Sequence, residues 1–417
     1  MNSRKVHKQR NTNLARLIHF LIVIPTIIAL STNGAHAQVP PVVESQLIKI
    51  GQVVDPTCTA KLYRPLFPKA DIASQYAEMQ KTGKPSDQTP LYPGVTIERD
   101  VSFGPDPKDV VDIFHAEKGP ASRTVLIYVP GGNGNKIEIQ NKDANAFYDN
   151  IGRWATENGM VAVLMQRHAL PAGAPPDFYA GAKDVSAMLQ WVEKNIAQYH
   201  GNPNRMFIWA HSAGNGPLGI YAGHPEIYGP QGIGVKGIVF MSGQFNILRE
   251  DGSNPVPQAP PRDPNASAPP AAGATCGGVT ASDGALPGKA AGQPGGPNPP
   301  FTAGAGGNAG GRGGPAIPQD ELIKRSSLPG LEKTDAKIFL ASAELDPGIT
   351  DAKPSAFNQA LHDELCKQDG PKAKNGKGHC PTLLVMEGES HMSETMSVDS
   401  GDKTVSAPIL VWIKSIK

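Results

Sequence analysis

Three residues spaced far apart in the chain are of the types that activate a hydroxyl for attack on a carbonyl: Ser212, Asp346 and His391. A serine hydroxyl is a weak nucleophile at neutral pH. It needs a base within hydrogen-bond reach and a third group to orient that base. Ser212 sits in "RMFIWAHSAGNGPLGIYA" (205–222), where an apolar run gives way to small residues that can open a helix. A serine on so sharp a strand-to-helix turn is pushed clear of the sheet, and its flanks must be small, here Ala210 and Gly214. Asp346 follows the run "KIFLASAEL", with Glu344 and Asp351 as neighbouring alternatives for the acid, and His391 follows "TLLVMEGES". Each of the three therefore falls just beyond its own strand, in the order Ser, Asp, His.

Attack on a carbonyl also requires donors for the oxyanion that develops. The backbone N–H of Ala213 is one candidate. The loop "PGGNGNK" (130–136) after the run "TVLIYV" supplies the others, Gly132 and Asn133, because its glycines allow close backbone approach. His211, next to the nucleophile, points the wrong way to be its base and reads as packing beneath the turn. His168, His200 and His224 read as structural or solvated.

These residues need a frame, and the apolar pattern from residue 94 onward provides one. Strands are predicted at 94–103, 109–116, 124–129, 160–166, 205–210, 235–242, 336–342 and 382–387, and helices at 143–159, 179–199 and 405–417. Continuous apolar strands alternating with helices imply an α/β fold, a mostly parallel sheet with helices on both faces. Gly and Pro (46 and 40 in the chain) crowd into 251–318, which cannot bury enough apolar surface to offset its ordering entropy. It reads as a disordered insertion within a domain of residues 94–417. Residues 38–93 read as an N-terminal extension with a helix near 69–83.

The first 37 residues read as a cleaved export signal: a basic leader, the apolar run "LIHFLIVIPTIIAL" (17–30), then small residues at Ala35 and Ala37. An exported protein, periplasmic or secreted, with no stable membrane insertion is expected. Four cysteines in such a chain favour disulfides, Cys366 with Cys380 and, by elimination, Cys58 with Cys276. The competing idea, a zinc site from His362, Cys366, His379 and Cys380, suits an oxidising compartment poorly, so no metal is expected. Net charge is +1, with Lys and Arg scattered, which speaks against nucleic acid as a partner.

From Gly94 to the C-terminus the chain resembles the α/β-hydrolase superfamily, and more narrowly its carboxylesterase/lipase, BD-FAE-like branch. "VSFGPDPKDVVDIFHA" is similar to that branch's entry hairpin, "VLIYVPGGNGNK" to its His-Gly-Gly loop and "AHSAGN" to its nucleophile turn. "ASAELDPGI" and "GESHMSE" resemble its acid and histidine loops. One departure is Pro130, which stands where the branch usually has a His that helps fix the oxyanion loop. The resemblance implies a cofactor-free serine hydrolase acting on a small-molecule or carbohydrate-linked ester, with the insertion at the superfamily's lid position. Alternatives are an arylformamidase-type amide hydrolase and a non-catalytic secreted binding protein on the same fold. Oligomeric state is left open.

Overall fold

Eight of the apolar runs become strands of a single sheet. The structure is a computed structural model, described here over residues 39–67, 94–132, 134–136, 147–168, 177–257, 317–349, 353–367 and 380–417. The strands are β1 (Val95–Ser102), β2 (Val110–Ala116), β3 (Arg123–Val129), β4 (Val161–Met165), β5 (Gly201–His211), β6 (Gly237–Met241), β7 (Lys337–Leu345) and β8 (Thr382–Ser390). Their spatial order is β1-β2-β4-β3-β5-β6-β7-β8. Only β2 runs against its neighbours, and every pairing from β4 through β8 is parallel. This is the α/β-hydrolase fold expected from the motifs.

The centre of the sheet is apolar along its full length. All residues of β4 and β6 are buried, as is "VLIYV" of β3. Such strands must be covered on both faces, and helices do so. They are α1 (Pro41–Ile50), α2 (Pro56–Tyr63), α3 (Asp149–Glu157), α4 (Ala180–Asn195), α5 (Asn215–Gly223), α6 (Pro225–Tyr228), α7 (Gln319–Lys324), α8 (Leu328–Leu331), α9 (Ala356–Lys367), α10 (Ser393–Met396) and α11 (Ser406–Ser415). One face packs Val185, Met188 and Leu189 of α4 and Leu218 of α5 against Ile127, Ile208 and Phe240. The other packs Ile151 of α3 and Ile409 and Trp412 of α11 against Leu126, Trp209 and Phe339.

Several boundaries differ from the sequence reading. The helix expected over 143–159 is helical at Asp149–Glu157, and the one over 179–199 tightens to a 3-10 turn at Ile196–Tyr199. Strand β5 begins four residues earlier than its apolar run, because Gly201 still pairs with Arg123. Helices α1 and α2 were not anticipated. They pack Val43, Leu47, Ala60 and Tyr63 onto Met392 and Met396, far away in the chain. The expected leader, the helix at 69–83 and most of the Gly/Pro-rich insertion lie outside the described residues. Among the described residues, no helix is long and apolar enough to cross a membrane.

Cys366 and Cys380 form a disulfide that ties the end of α9 to the entry of β8. Cys58 is also disulfide-bonded. Its expected partner, Cys276, lies outside the described residues.

Candidate active site

Strand β5 ends at His211 and the chain turns at once through Ser212–Gly214 into α5. Ser212 takes a φ of 51°, a left-handed conformation that costs a non-glycine residue energy and lifts its side chain out of the sheet. The turn is tight enough to dictate its neighbours. A Cβ on Gly214 would lie 2.5 Å from the Val129 carbonyl oxygen, and one on Gly131 2.7 Å from Ser212 Cβ. The loop at 130–132, the candidate oxyanion loop, therefore lies directly against the Ser212 turn. Asn215 fixes the turn from behind, donating from Nδ2 to the carbonyls of Ser212 (2.9 Å) and Met241 (2.8 Å).

His391 follows β8 by one residue, and its ring lies between the other two predicted groups. Its Nδ1 is 2.7 Å from Asp346 Oδ1 and its Nε2 is 2.8 Å from Ser212 Oγ. A carboxylate only accepts, so in the neutral ring Nδ1 carries the proton and Nε2 is left to accept from the serine hydroxyl. Asp346 and His391 are buried while Ser212 is partly exposed. The second oxygen of Asp346 accepts from Ser242 Oγ and from the Ala343 N–H at 3.3 Å. The neighbouring acid Glu344 turns elsewhere, accepting the Gly388 N–H at 2.8 Å. Asp351 lies outside the described residues.

Ala213, one of the two nearer oxyanion candidates, is exposed at the turn. Gly132 takes a φ of 50°, which the loop's bend requires. Asn133 lies outside the described residues. With Pro130 in place of the usual His, the loop is held by a residue that sequence reasoning passed over. Arg167, just past β4, donates from Nε to the Pro130 carbonyl (3.3 Å) and from Nη2 to those of Gly131 (3.4 Å) and Gly132 (2.7 Å). Backbone acceptors leave no mark in a sequence, so nothing but an arginine at a strand end could have signalled it. Farther along, Lys136 anchors the loop by pairing with Asp112 and Asp100. Burial pushes the Asp112 carboxyl up, but Arg99 and Lys136 outweigh it and hold it below the usual range.

His211 has a more definite role than packing. It is buried, and its Nε2 donates to the backbone carbonyl of His391 at 2.8 Å, with the two rings 4.8 Å apart. Burial, and then the neighbouring His391, hold it well below the usual histidine range, so the ring is neutral. Two acids near it were also missed. Glu394 lies with Oε2 3.6 Å from His211 Nε2, and burial followed by Asp346 raises its carboxyl well above normal. Glu389 accepts from Ser393 Oγ, and burial with Asp402 nearby pushes it up to about 8. Tyr63 of α2 places its hydroxyl 3.3 Å from both Glu389 Oε2 and Asp402 Oδ2. Helices α1 and α2 pack over this segment through Val43, Leu47, Ala60 and Tyr63, a tertiary cover that no neighbour in sequence announces.

Two other clusters have metal-ligating types. His168 Nδ1 meets Asp184 at 2.8 Å, with Asp109 at 3.8 Å, and its Nε2 lies 3.4 Å from Asp106. Burial opposes its charge, but the bond to Asp184 prevails and raises its pKa. His362 Nε2 lies 3.4 Å from Cys366 Sγ, a sulfur engaged in the disulfide. His379 lies outside the described residues.

Residues 111–225 match the BD-FAE family model, a stretch running from β2 through the oxyanion loop and Ser212 to the start of α6. The chain is thus similar to the BD-FAE-like carboxylesterase branch of the α/β-hydrolase superfamily. A probable isoprenylcysteine alpha-carbonyl methylesterase of Arabidopsis thaliana is 24% identical over 121 residues, 28% of this chain and 23% of that one. The match therefore spans less than a quarter of that relative's length. Among solved structures, a hyperthermophilic esterase of Pyrobaculum calidifontis is 13% identical, with a TM-score of 0.45 over 91% of this chain and 98% of its own. A bacterial heroin esterase is 16% identical, with a TM-score of 0.45 over 87% and 97%. The fold rests on the strand order and register above rather than on these two likenesses.

Proposed function

We propose that the protein is an exported serine hydrolase that cleaves a carboxylic ester through an acyl-enzyme. The observation that carries this is the placement of His391 between Ser212 Oγ (2.8 Å) and Asp346 Oδ1 (2.7 Å), with Ser212 on a left-handed turn. Ser212 Oγ attacks the ester carbonyl carbon as its proton passes to His391 Nε2. Asp346 keeps the proton on Nδ1 and stabilises the imidazolium. The carbonyl oxygen becomes an anion facing the N–H groups of Ala213 and Gly132, which bind it more tightly than the ground-state carbonyl. When the intermediate collapses, the bond to the alcohol oxygen breaks and His391 returns its proton to that oxygen. Water, activated by the same imidazole, then releases the acid and restores Ser212. No step calls for a cofactor.

The BD-FAE match and the esterase relative support the reaction class, and the substrate in this reading is a small-molecule or carbohydrate-linked ester. The Cys366–Cys380 disulfide and the leader support export. Labelling of the mature protein by a fluorophosphonate, beside Ser212→Ala and a p-nitrophenyl acetate assay, tests the reading. Label and turnover are expected in the native protein alone. A folded native protein that neither labels nor turns over overturns it in favour of a non-catalytic binding role. Turnover of an aryl formamide without short-ester turnover would move the reading to amide hydrolysis.

A further inference from the structure

Arg167 is buried, and among the described residues its guanidinium donates its hydrogen bonds to main-chain carbonyls, with Asp184 and Tyr148 acting on its charge. Besides those of Pro130, Gly131 and Gly132, Nη1 approaches the carbonyl of His168 at 3.4 Å. Placing a charge on backbone oxygens in the interior is costly unless its donors are well used, and the planar fork of arginine is the side chain suited to several acceptors at once. The loop is further closed by two backbone bonds. Gly134 N–H donates to Gly131 O at 2.9 Å, and Arg167 N–H donates to Gly134 O at 2.7 Å. Arg167 thus holds the loop by its side chain and its own backbone together.

The orientation follows from the peptide group itself. In a trans peptide, C=O and N–H point in opposite directions. Holding the carbonyl of Gly131 toward Arg167 turns the N–H of Gly132 away from it. The nucleophile turn is the loop's other neighbour, since a Cβ on Gly131 would also lie 2.9 Å from the His211 carbonyl oxygen. Proline at 130 lacks an N–H but keeps its carbonyl, so the clamp works despite that departure. We propose that Arg167 is the positioning residue of the oxyanion loop, fixing the peptides of Pro130–Gly132 so that the N–H of Gly132 faces the nucleophile. The side chain does not touch the reacting atoms. It sets the geometry that stabilises the oxyanion, a contact made fully only in the transition state.

The kinetic consequence rests on the ester-cleaving reading, whereas the ordering of the loop does not. Arg167→Lys and Arg167→Met in the full mature protein, with its disulfides intact, separate the two. Oxyanion stabilisation lost without loss of substrate binding lowers kcat and spares KM. With p-nitrophenyl acetate, Arg167→Met is expected to lower kcat by about 10- to 100-fold with KM within about threefold, and Arg167→Lys to recover part of the loss. In amide hydrogen exchange, the peptide covering 130–136 is expected to exchange about tenfold faster or more in both variants, while β5 and β6 keep native protection. Unchanged exchange at 130–136, or a raised KM with native kcat, overturns the proposal. Where Arg167→Met fails to fold, Arg167→Lys carries the exchange test. A native protein without esterase activity defeats the ester reading alone, and exchange still decides the role of Arg167.

Discussion

The two halves of the proposed catalytic centre are held by opposite electrostatic means. On the nucleophile side, cations do the work: Arg167 grips three carbonyls, while Arg99 and Lys136 neutralise Asp112 and Asp149. On the histidine side, Glu389 and Glu394 are fully buried, with the Ser393 and Tyr63 hydroxyls and the neutral His211 ring close by and the acids Asp402 and Asp346 acting on them. Burial lifts both carboxyls above their ordinary range, Glu389 to about 8. One half therefore rests on ion pairs, and the other on buried carboxyls held above their ordinary range.

The largest effect is expected from removing the proposed nucleophile. Ser212→Ala is expected to lower ester turnover by about 10⁴-fold or more while leaving the melting temperature at or above that of the native protein, since the left-handed strain and the hydroxyl are separate matters. Turnover assay and thermal melt, run together, check both. Gly214→Ala strikes the same half sterically. Its new Cβ meets two backbone carbonyls, so a loss of about 2–3 kcal/mol in urea unfolding is expected, together with a misplaced Ser212.

The histidine half breaks differently. The Glu389 carboxyl is raised to about 8 in the fold from an ordinary value of 4.5, so the folded state holds a proton that the unfolded state has released in between. Its contribution is fully present below about pH 4.5 and is lost as pH rises toward 8. Glu389→Gln mimics the protonated form. The variant is expected to melt with the native protein at pH 4.5 and roughly 5 °C above it at pH 8, in paired calorimetric scans. Coincident scans at both pH values would mean that the two halves do not differ in this way. Tyr63→Phe is the mildest change. It removes one hydroxyl from the acid pair and is expected to cost about 1 kcal/mol in urea unfolding, with kcat/KM changed less than about threefold.

What could be read from the sequence was what the chain encodes locally. Apolar runs ending in Ser212, Asp346 and His391 gave each group a strand end, and a doubly wound sheet gathers strand ends at one edge. The placement of Glu344 on the Gly388 N–H could not be read, because alternate residues of a strand differ only in which face they meet. Helices α1 and α2 escaped notice because Val42 and Ile48 are exposed on α1, which blurs its apolar stripe, and because their partners lie at 392–396. Arg167 and His211 act on carbonyls, which every residue has. The titratable character of Glu389 arises only after folding, from burial that no neighbour in sequence supplies.

Tyr63 and Glu389 are 326 positions apart, and Tyr63 and Asp402 are 339 apart. Met392 and Met396, next to His391 in the chain, are buried against Val43, Leu47, Ala60 and Tyr63, so the cover of this loop joins segments that no contiguous half of the polypeptide contains. The entropy of closing so long a loop rises only slowly with its length, so contacts of this separation weigh on folding rate more than on stability.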